Sequence, residues 1–342
     1  MPIQSSDIVF FKSQLISDTP AANGGRRSDV VSADNVAGNS FPDVPQVERI
    51  AGVVRKRKFH IRVKTNPSIE MVRNRLFVDA PSSGDDFTLL QAGTFTDTQD
   101  QIPNNARFYG LATLKTTAHQ GATQIVITLE SAAAASYTPI HPNDTLWISN
   151  QANITQPGAS EYLTVGPNSG DVTYNGADVT INLAAPLTYD WTVGATAIKV
   201  ASCIVVNSIL AAVTTPVVTS TTGTVTAANN LLVNGTGSIE QTWTLTVTNG
   251  AAGTFRLDGD TLGSGVATGT TGTDFAPTNA AFSAPYFTLS ALAWTGSWST
   301  GDTVVFTTHP ADLPYWEVLV VPAGTSSIGN SGSNIALDGE SV

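Results

Sequence analysis

Gln241-Thr242-Trp243-Thr244-Leu245-Thr246-Val247-Thr248 alternates between threonine and a larger side chain without a break. A period of two marks a strand with one buried and one wet face. On a helix the same order would scatter Trp243, Leu245 and Val247 around the axis instead of stacking them on one stripe. Asn249-Gly250 comes next, a dipeptide that favours tight hairpins. Thr254-Phe255-Arg256-Leu257-Asp258-Gly259 then reads as the strand that pairs back. Pro285-Tyr286-Phe287-Thr288-Leu289 and the segment 302–308 continue the pattern, and 214–224 reads as a linker or edge strand. Residues 215–310 are therefore expected to form an immunoglobulin-like β-sandwich without a disulfide.

The whole chain shares that texture. Of its 342 residues, 46 are Thr, only 13% are charged and 41% are hydrophobic. Thr, Val, Gly and Asn are poor helix formers, and disorder would need more charge and fewer β-branched residues. One Cys excludes a disulfide framework and a cysteine-based zinc site. Cys203 continues into Ile204-Val205-Val206 and reads as a small buried hydrophobe. No apolar run approaches the ~18 residues of a membrane span. Met1–Asp7 has neither the basic nor the apolar part of a secretory leader.

Working outward, the expected fold class is all-β, with N-terminal β-sandwich or barrel-like assembly regions ahead of the immunoglobulin-like sandwich. Residues 1–106 form an N-terminal assembly region with extended loops. Its strands are expected at Ile8–Phe11, Lys56–Lys64, Arg75–Asp79 and Phe87–Ala92, with a short helix over Asn66–Arg73. Residues 107–210 read as a small barrel or sandwich continuous with it. Expected strands there are Ala112–Lys115, Gln124–Leu129, Thr145–Ser149, Glu161–Val165, Val179–Leu183 and Ala197–Val200. The last part, 311–342, holds one strand, Tyr315–Pro322, that returns to the first region. The last twenty residues, rich in Gly, Ser and Asn, are expected to be an extended arm.

Charge is unevenly placed. Residues 1–75 hold 12 of the 16 Lys and Arg and 7 acids, whereas 76–342 hold 4 bases and 20 acids. The sharpest cluster is Arg55-Lys56-Arg57-Lys58, followed by Arg62 and Lys64. It runs into Phe59-His60-Ile61-Arg62-Val63-Lys64, whose alternation suggests a half-exposed strand with a basic outer face, His60 included. Such a face suits contact with an acidic neighbour, including another copy of this chain. A plain solvated face is the alternative, and nucleic-acid contact is disfavoured. Phe41, in the loop Asn39–Pro45, is a further interface candidate; packing on the core is its other reading.

Chemistry-bearing patterns are sparse. Asp258-Gly259-Asp260 lacks the remaining ligands of a calcium loop and reads as a turn. Asp85-Asp86 reads as a turn as well. No Gly-x-Ser-x-Gly elbow is present, and Gly263-Ser264-Gly265 lacks the context of a dinucleotide loop. No cofactor or metal is expected, and the chain reads as a non-enzyme. Trp294 and Trp298 are candidate glycan contacts, with core filling as the plainer reading.

Four segments carry a resemblance. They are Ile3–Val9, Ser40-Phe41-Pro42-Asp43-Val44, Arg57-Lys58-Phe59 and Phe87-Thr88-Leu89-Leu90. In this order, a short polar start and strand, a Gly-rich loop and a Phe-Pro-Asp turn before a basic strand resemble a group of tailed-bacteriophage virion proteins associated with the tail and its tip. The resemblance covers the first 100 residues, and the Thr-rich region after 215 is similar to immunoglobulin-like modules of phage virion proteins. It implies a structural role in a tail tube, baseplate or tip, as a homo-oligomer among other virion proteins, assembled in the host bacterial cytoplasm and carried in the virion. A capsid decoration or host-surface, glycan-binding adhesion role is the alternative. The resemblance brings no catalytic residues.

Overall fold

Threonine, valine and aromatic side chains fit a pleated, half-buried surface better than a helix, and the chain folds accordingly. The structure is a computed structural model describing residues 3–33, 36, 38–63, 70–82, 84–233, 235–326 and 332–342. It is all-β, and every pair of strands in it is antiparallel. Among the described residues the one α-helix is α1, Gln46–Ala51, alongside short 3₁₀ helices such as Ala132–Tyr137.

Five strands open the chain: β1 (Ile8–Leu15), β2 (Gly24–Val31), β3 (Val53–Val63), β4 (Met71–Ala80) and β5 (Phe87–Ala92). Seven follow: β6 (Leu111–Leu114), β7 (Gln124–Leu129), β8 (Thr145–Ser149), β9 (Ser160–Thr164), β10 (Val172–Asn175), β11 (Asp178–Asn182) and β12 (Lys199–Ser202). These seven form one sheet in the order β10-β11-β7-β6-β12-β8-β9. An isolated bridge between Val165, just past β9, and Leu183, just past β11, links two strands that are not neighbours in the sheet. Ile125, Ile127, Leu146, Ile148, Val179 and Val200 fill its inner face. Six of these seven strands lie at or within two residues of the expected segments, and β10 is an addition to them.

β13 (Ile204–Ile209) then pairs with β4. The chain next builds the Thr-rich sandwich. Its strands are β14 (Ala212–Val213), β15 (Val217–Val218), β16 (Thr224–Val225), β17 (Leu231–Leu232), β18 (Gln241–Asn249), β19 (Thr254–Gly259), β20 (Gly263–Thr270), β21 (Thr278–Asn279), β22 (Ala284–Pro285), β23 (Thr288–Leu289), β24 (Trp294–Thr295) and β25 (Thr303–His309). The main sheet runs β14-β25-β18-β19-β20, with β15 also on β25. Three short ladders, β16-β24, β17-β23 and β21-β22, form the opposing layer. Along β18, Gln241, Trp243, Leu245 and Val247 are buried and the threonines between them are half-buried, as the alternation requires. Trp243, Phe255, Phe287 and Phe306 centre this core.

β26 (Asp312–Val321) returns to the N-terminal sheet and lies between β3 and β5, giving the order β2-β1-β3-β26-β5. That sheet is therefore completed by a strand that follows the sandwich in the chain. β27 (Asn334–Ser341) pairs along β4, which corrects the expectation of a C-terminal arm: Ala336 is buried and Leu337 packs beside it. The expected helix over Asn66–Arg73 is also corrected in part. Residues 66–69 lie outside the described ones, and Met71–Arg73 belong to β4.

Candidate functional site: the basic strand and the distal indoles

Strand β3 does have two faces, as its alternation implies. Phe59, Ile61 and Val63 face an apolar core shared with Leu76, Val78, Leu313 and Tyr315. Lys56, Lys58, His60 and Arg62 alternate with them and point to the other side of the sheet. That side is covered. Lys58, His60 and Arg62 are 1–2% exposed, and Arg57, on the same face as Phe59, is also buried. The expectation of a basic outer face, with His60 in solvent or at an interface, is therefore corrected. Charged side chains are buried when their charge is matched, and the matching groups come from distant parts of the chain.

Lys58 Nζ lies 2.6 Å from Asp97 Oδ1 and donates to the carbonyls of Gly25 and Asp97. Trp316, opposite Lys58 on β26, donates from Nε1 to the other Asp97 oxygen at 2.8 Å. Burial pulls the Lys58 ammonium below the usual lysine range. It also raises the cost of the Asp97 carboxylate, but the Lys58 and Trp316 contacts win and hold that carboxyl low. His60 Nε2 is 3.3 Å from Gly25 O. Burial, then the Lys58 charge, push its pKa down to about 3. The ring is therefore neutral, with Nε2–H as donor to the carbonyl. Gly24 closes this pocket in a left-handed conformation, φ 110°, and a Cβ there would stand 2.6 Å from the Trp316 ring.

At the end of β3 nearest the sandwich, Arg62 donates to Gly235 O at 2.9 Å and Thr236 O at 2.5 Å. Its guanidinium lies 4.2 Å from the centroid of Phe282. Arg27 pairs with Asp312 at 3.3 Å and faces the rings of Phe11 and Phe282. Burial pulls Arg62 down to about 10 and pushes the Asp312 carboxyl up to about 6, although both arginines oppose the latter. The same joint carries Arg26–Asp260 at 2.6 Å and His309–Glu240 at 2.7 Å, with His309 stacked on Phe95.

At the opposite end of β3, Arg55 reaches Glu48 at 2.7 Å and Arg57 reaches Asp18 at 2.6 Å. Phe41 lies over the Arg57 guanidinium at 5.7 Å, so it packs within the chain. Lys56 donates to Gln91 at 2.8 Å beside the Phe108 ring. Lys64 lies outside the described residues. The basic side chains of 55–62 are thus engaged within the chain on both faces of β3, Arg55, Arg57 and Lys58 by carboxylates and Lys56 and Arg62 by neutral oxygens.

Trp294 and Trp298 are half-buried. Trp294 stacks on Phe255 at 5.1 Å, and Trp298 meets Trp294 edge-on at 5.0 Å. Both extend the sandwich core, and Trp298 also borders a hollow at the tip. Among the described residues no three His, Cys, Asp or Glu side chains gather where they could hold a metal ion. Among them too, no helix is long and apolar enough to cross a membrane.

No known family, curated protein or solved structure matches the chain. Function must therefore be argued from the surface the fold leaves exposed. Apolar side chains stand out in the N-terminal region: Val30 (56%) and Val31 (51%) on the edge strand β2, and Val47 (71%) and Ile50 (66%), three apart on α1. Sequence reading missed them. They lie in short, irregular segments where no periodicity marks a face, and the neighbouring arginines dominated the reading.

Proposed function

We propose that this chain is a structural, non-catalytic subunit of a tailed-bacteriophage virion. It belongs to the tail, assembles with copies of itself and other virion proteins through its N-terminal region, and carries the Thr-rich sandwich outward. The reading rests on the resemblance of the segments around Phe41, Arg57 and Phe87. The observation that carries its assembly step is the pair of exposed apolar patches, Val30 and Val31 on the edge strand β2 and Val47 and Ile50 on α1. An exposed strand edge with apolar side chains is a hazard for a free monomer and a template for a partner. The arginines and lysines of β3, engaged inside the chain, support a structural use of that cluster rather than a docking use.

The test has two parts. Light scattering and electron microscopy of the purified chain should show oligomers that Val47→Asp with Ile50→Asp, or Val30→Asp with Val31→Asp, convert to monomers with unchanged melting. A wild-type monomer at all concentrations overturns the assembly step. Gold-labelled antibody against residues 215–310 on phage particles should mark tails. Label over heads moves the reading to the second one, a capsid decoration or host-surface adhesion subunit, which the hollow beside Trp298 favours.

A further inference from the structure

The sandwich has two unlike ends. Glu240, Asp260 and His309 sit at the end of its strands that meets the N-terminal sheet. By the antiparallel register of β18, β19, β20 and β25, the turn 250–253, the end of β20 and the loop 296–301 gather at the other end. Gly250 N donates there to Thr300 Oγ1 at 3.3 Å, and Thr271 N to Gly253 O at 2.9 Å. Between these loops lies a hollow of 630 Å³ bordered by Gly250, Gly253, Thr270, Thr271, Ser297 and Trp298. It is an open, shallow depression lined more by polar than by apolar surface.

The lining says what would fit. None of the residues around the hollow carries a formal charge, so an ionic ligand would lose water without gaining a counter-charge. The walls offer hydroxyls and glycine backbone, which an apolar ligand would leave dry and unpaired. One face of the Trp298 indole is closed by Gly223, where a Cβ would stand 2.5 Å from the ring, and its edge meets Trp294. The indole Nε1 atoms of both tryptophans are buried without a hydrogen-bond partner.

We propose that this hollow is a binding site for a neutral saccharide of one or two pyranose rings. The sugar's hydroxyls face Thr270, Thr271, Ser297 and the glycine backbone, and its C–H surface lies against the indole. Such a shallow site binds at about millimolar dissociation constants. The proposal goes beyond the assembly reading and stands whether the chain belongs to tail or head.

The test uses the full chain and saturation-transfer NMR with neutral disaccharides (maltose, cellobiose, lactose, chitobiose) and an anionic one, sialyllactose, each at about 10 mM. At least one neutral disaccharide should give a signal. Gly272, which also lines the hollow, meets no atom within 4 Å of an added Cβ, so Gly272→Tyr should abolish the signal without changing the melting temperature. Trp298→Phe, which keeps a ring and removes the N–H, should weaken it several-fold. No signal from any neutral sugar, binding of the anionic sugar alone, or a signal that persists in Gly272→Tyr each overturns the proposal.

Discussion

The Arg62 guanidinium lies 4.2 Å from the centroid of the Phe282 ring and donates to the backbone carbonyl of Gly235, 173 residues away in the chain. A residue from the middle of the N-terminal sheet thus holds a loop of the sandwich. Planar stacking and a forked donor are what arginine supplies and lysine does not.

Arg62→Met should therefore loosen this joint. Losing the cation–π contact and the two hydrogen bonds to Gly235 and Thr236 should cost about 2–4 kcal/mol. Limited proteolysis should then cut near 210–214 or 235–237, and Arg62→Lys should recover less than half of the loss. Unchanged cleavage in Arg62→Met would show that the remaining contacts, Arg26–Asp260 and His309–Glu240, hold the joint alone.

On β18, Trp243→Ala should cost about 3–5 kcal/mol, because the indole is fully buried among Tyr286, Phe287 and Phe306. Thr244→Val, one residue along on the half-buried face, should stay within about 0.5 kcal/mol of wild type. Chemical denaturation of both variants measures the contrast, and equal losses would mean the alternation does not map onto burial.

Stability should depend on pH in a defined way. Burial, then Asp86, raise the Glu130 carboxyl from its usual value to about 8, and burial raises Glu317 to about 7. A carboxyl raised on folding adds stability below its unfolded pKa, and that contribution is lost as pH climbs through the folded one. His60 acts in the opposite sense: its pKa falls to about 3, so its contribution is complete above about 6.5 and is lost as pH falls. Between about pH 6.5 and 8 the His60 contribution is already complete while the glutamate contributions are still being lost, so thermal melts should fall across that window, and Glu130→Gln should flatten the fall. A decline of the same steepness in Glu130→Gln would assign it to other groups.

Gly24 has φ 110°, and an added Cβ would meet both the Trp316 ring and Asp97 O within 2.7 Å. Gly24→Ala should destabilise by about 2 kcal/mol or more, through backbone strain and a displaced indole. The displacement should also appear as a changed Trp fluorescence maximum. A wild-type spectrum and midpoint would show that the loop simply shifts.

Removing residues 332–342 should also destabilise the chain. β27 leaves its partner edge on β4 unpaired when deleted, and it exposes Met71 and Leu76. The measurable outcome is a lower melting midpoint and new binding of a hydrophobic dye. A truncated chain that melts like wild type would restore the view of this tail as a loose arm.

What the sequence determined by itself was local. Period-two alternation in 241–248, and the apolar runs with Asn, Gly and Pro between them in 107–200, placed strands correctly because side-chain facing is a property of neighbouring residues. Cys203 was legible for the same reason: its apolar neighbours mark a buried run. What covers a face is not local. The alternation of β3 showed two faces, and only the tertiary structure decided that Asp97, Asp312, Gly235 and Phe282 would close over the basic one. The segment 334–341 has a Gly/Ser/Asn-rich approach and little hydrophobic pattern of its own; it became a strand because β4 offered an open edge. The tip hollow is likewise tertiary, since the turn 250–253 and the loop 296–301 meet only once β25 has paired with β18. Burying a charge is favourable only where a partner is waiting, and that partner's position is set by the fold, not by the residues beside the charge.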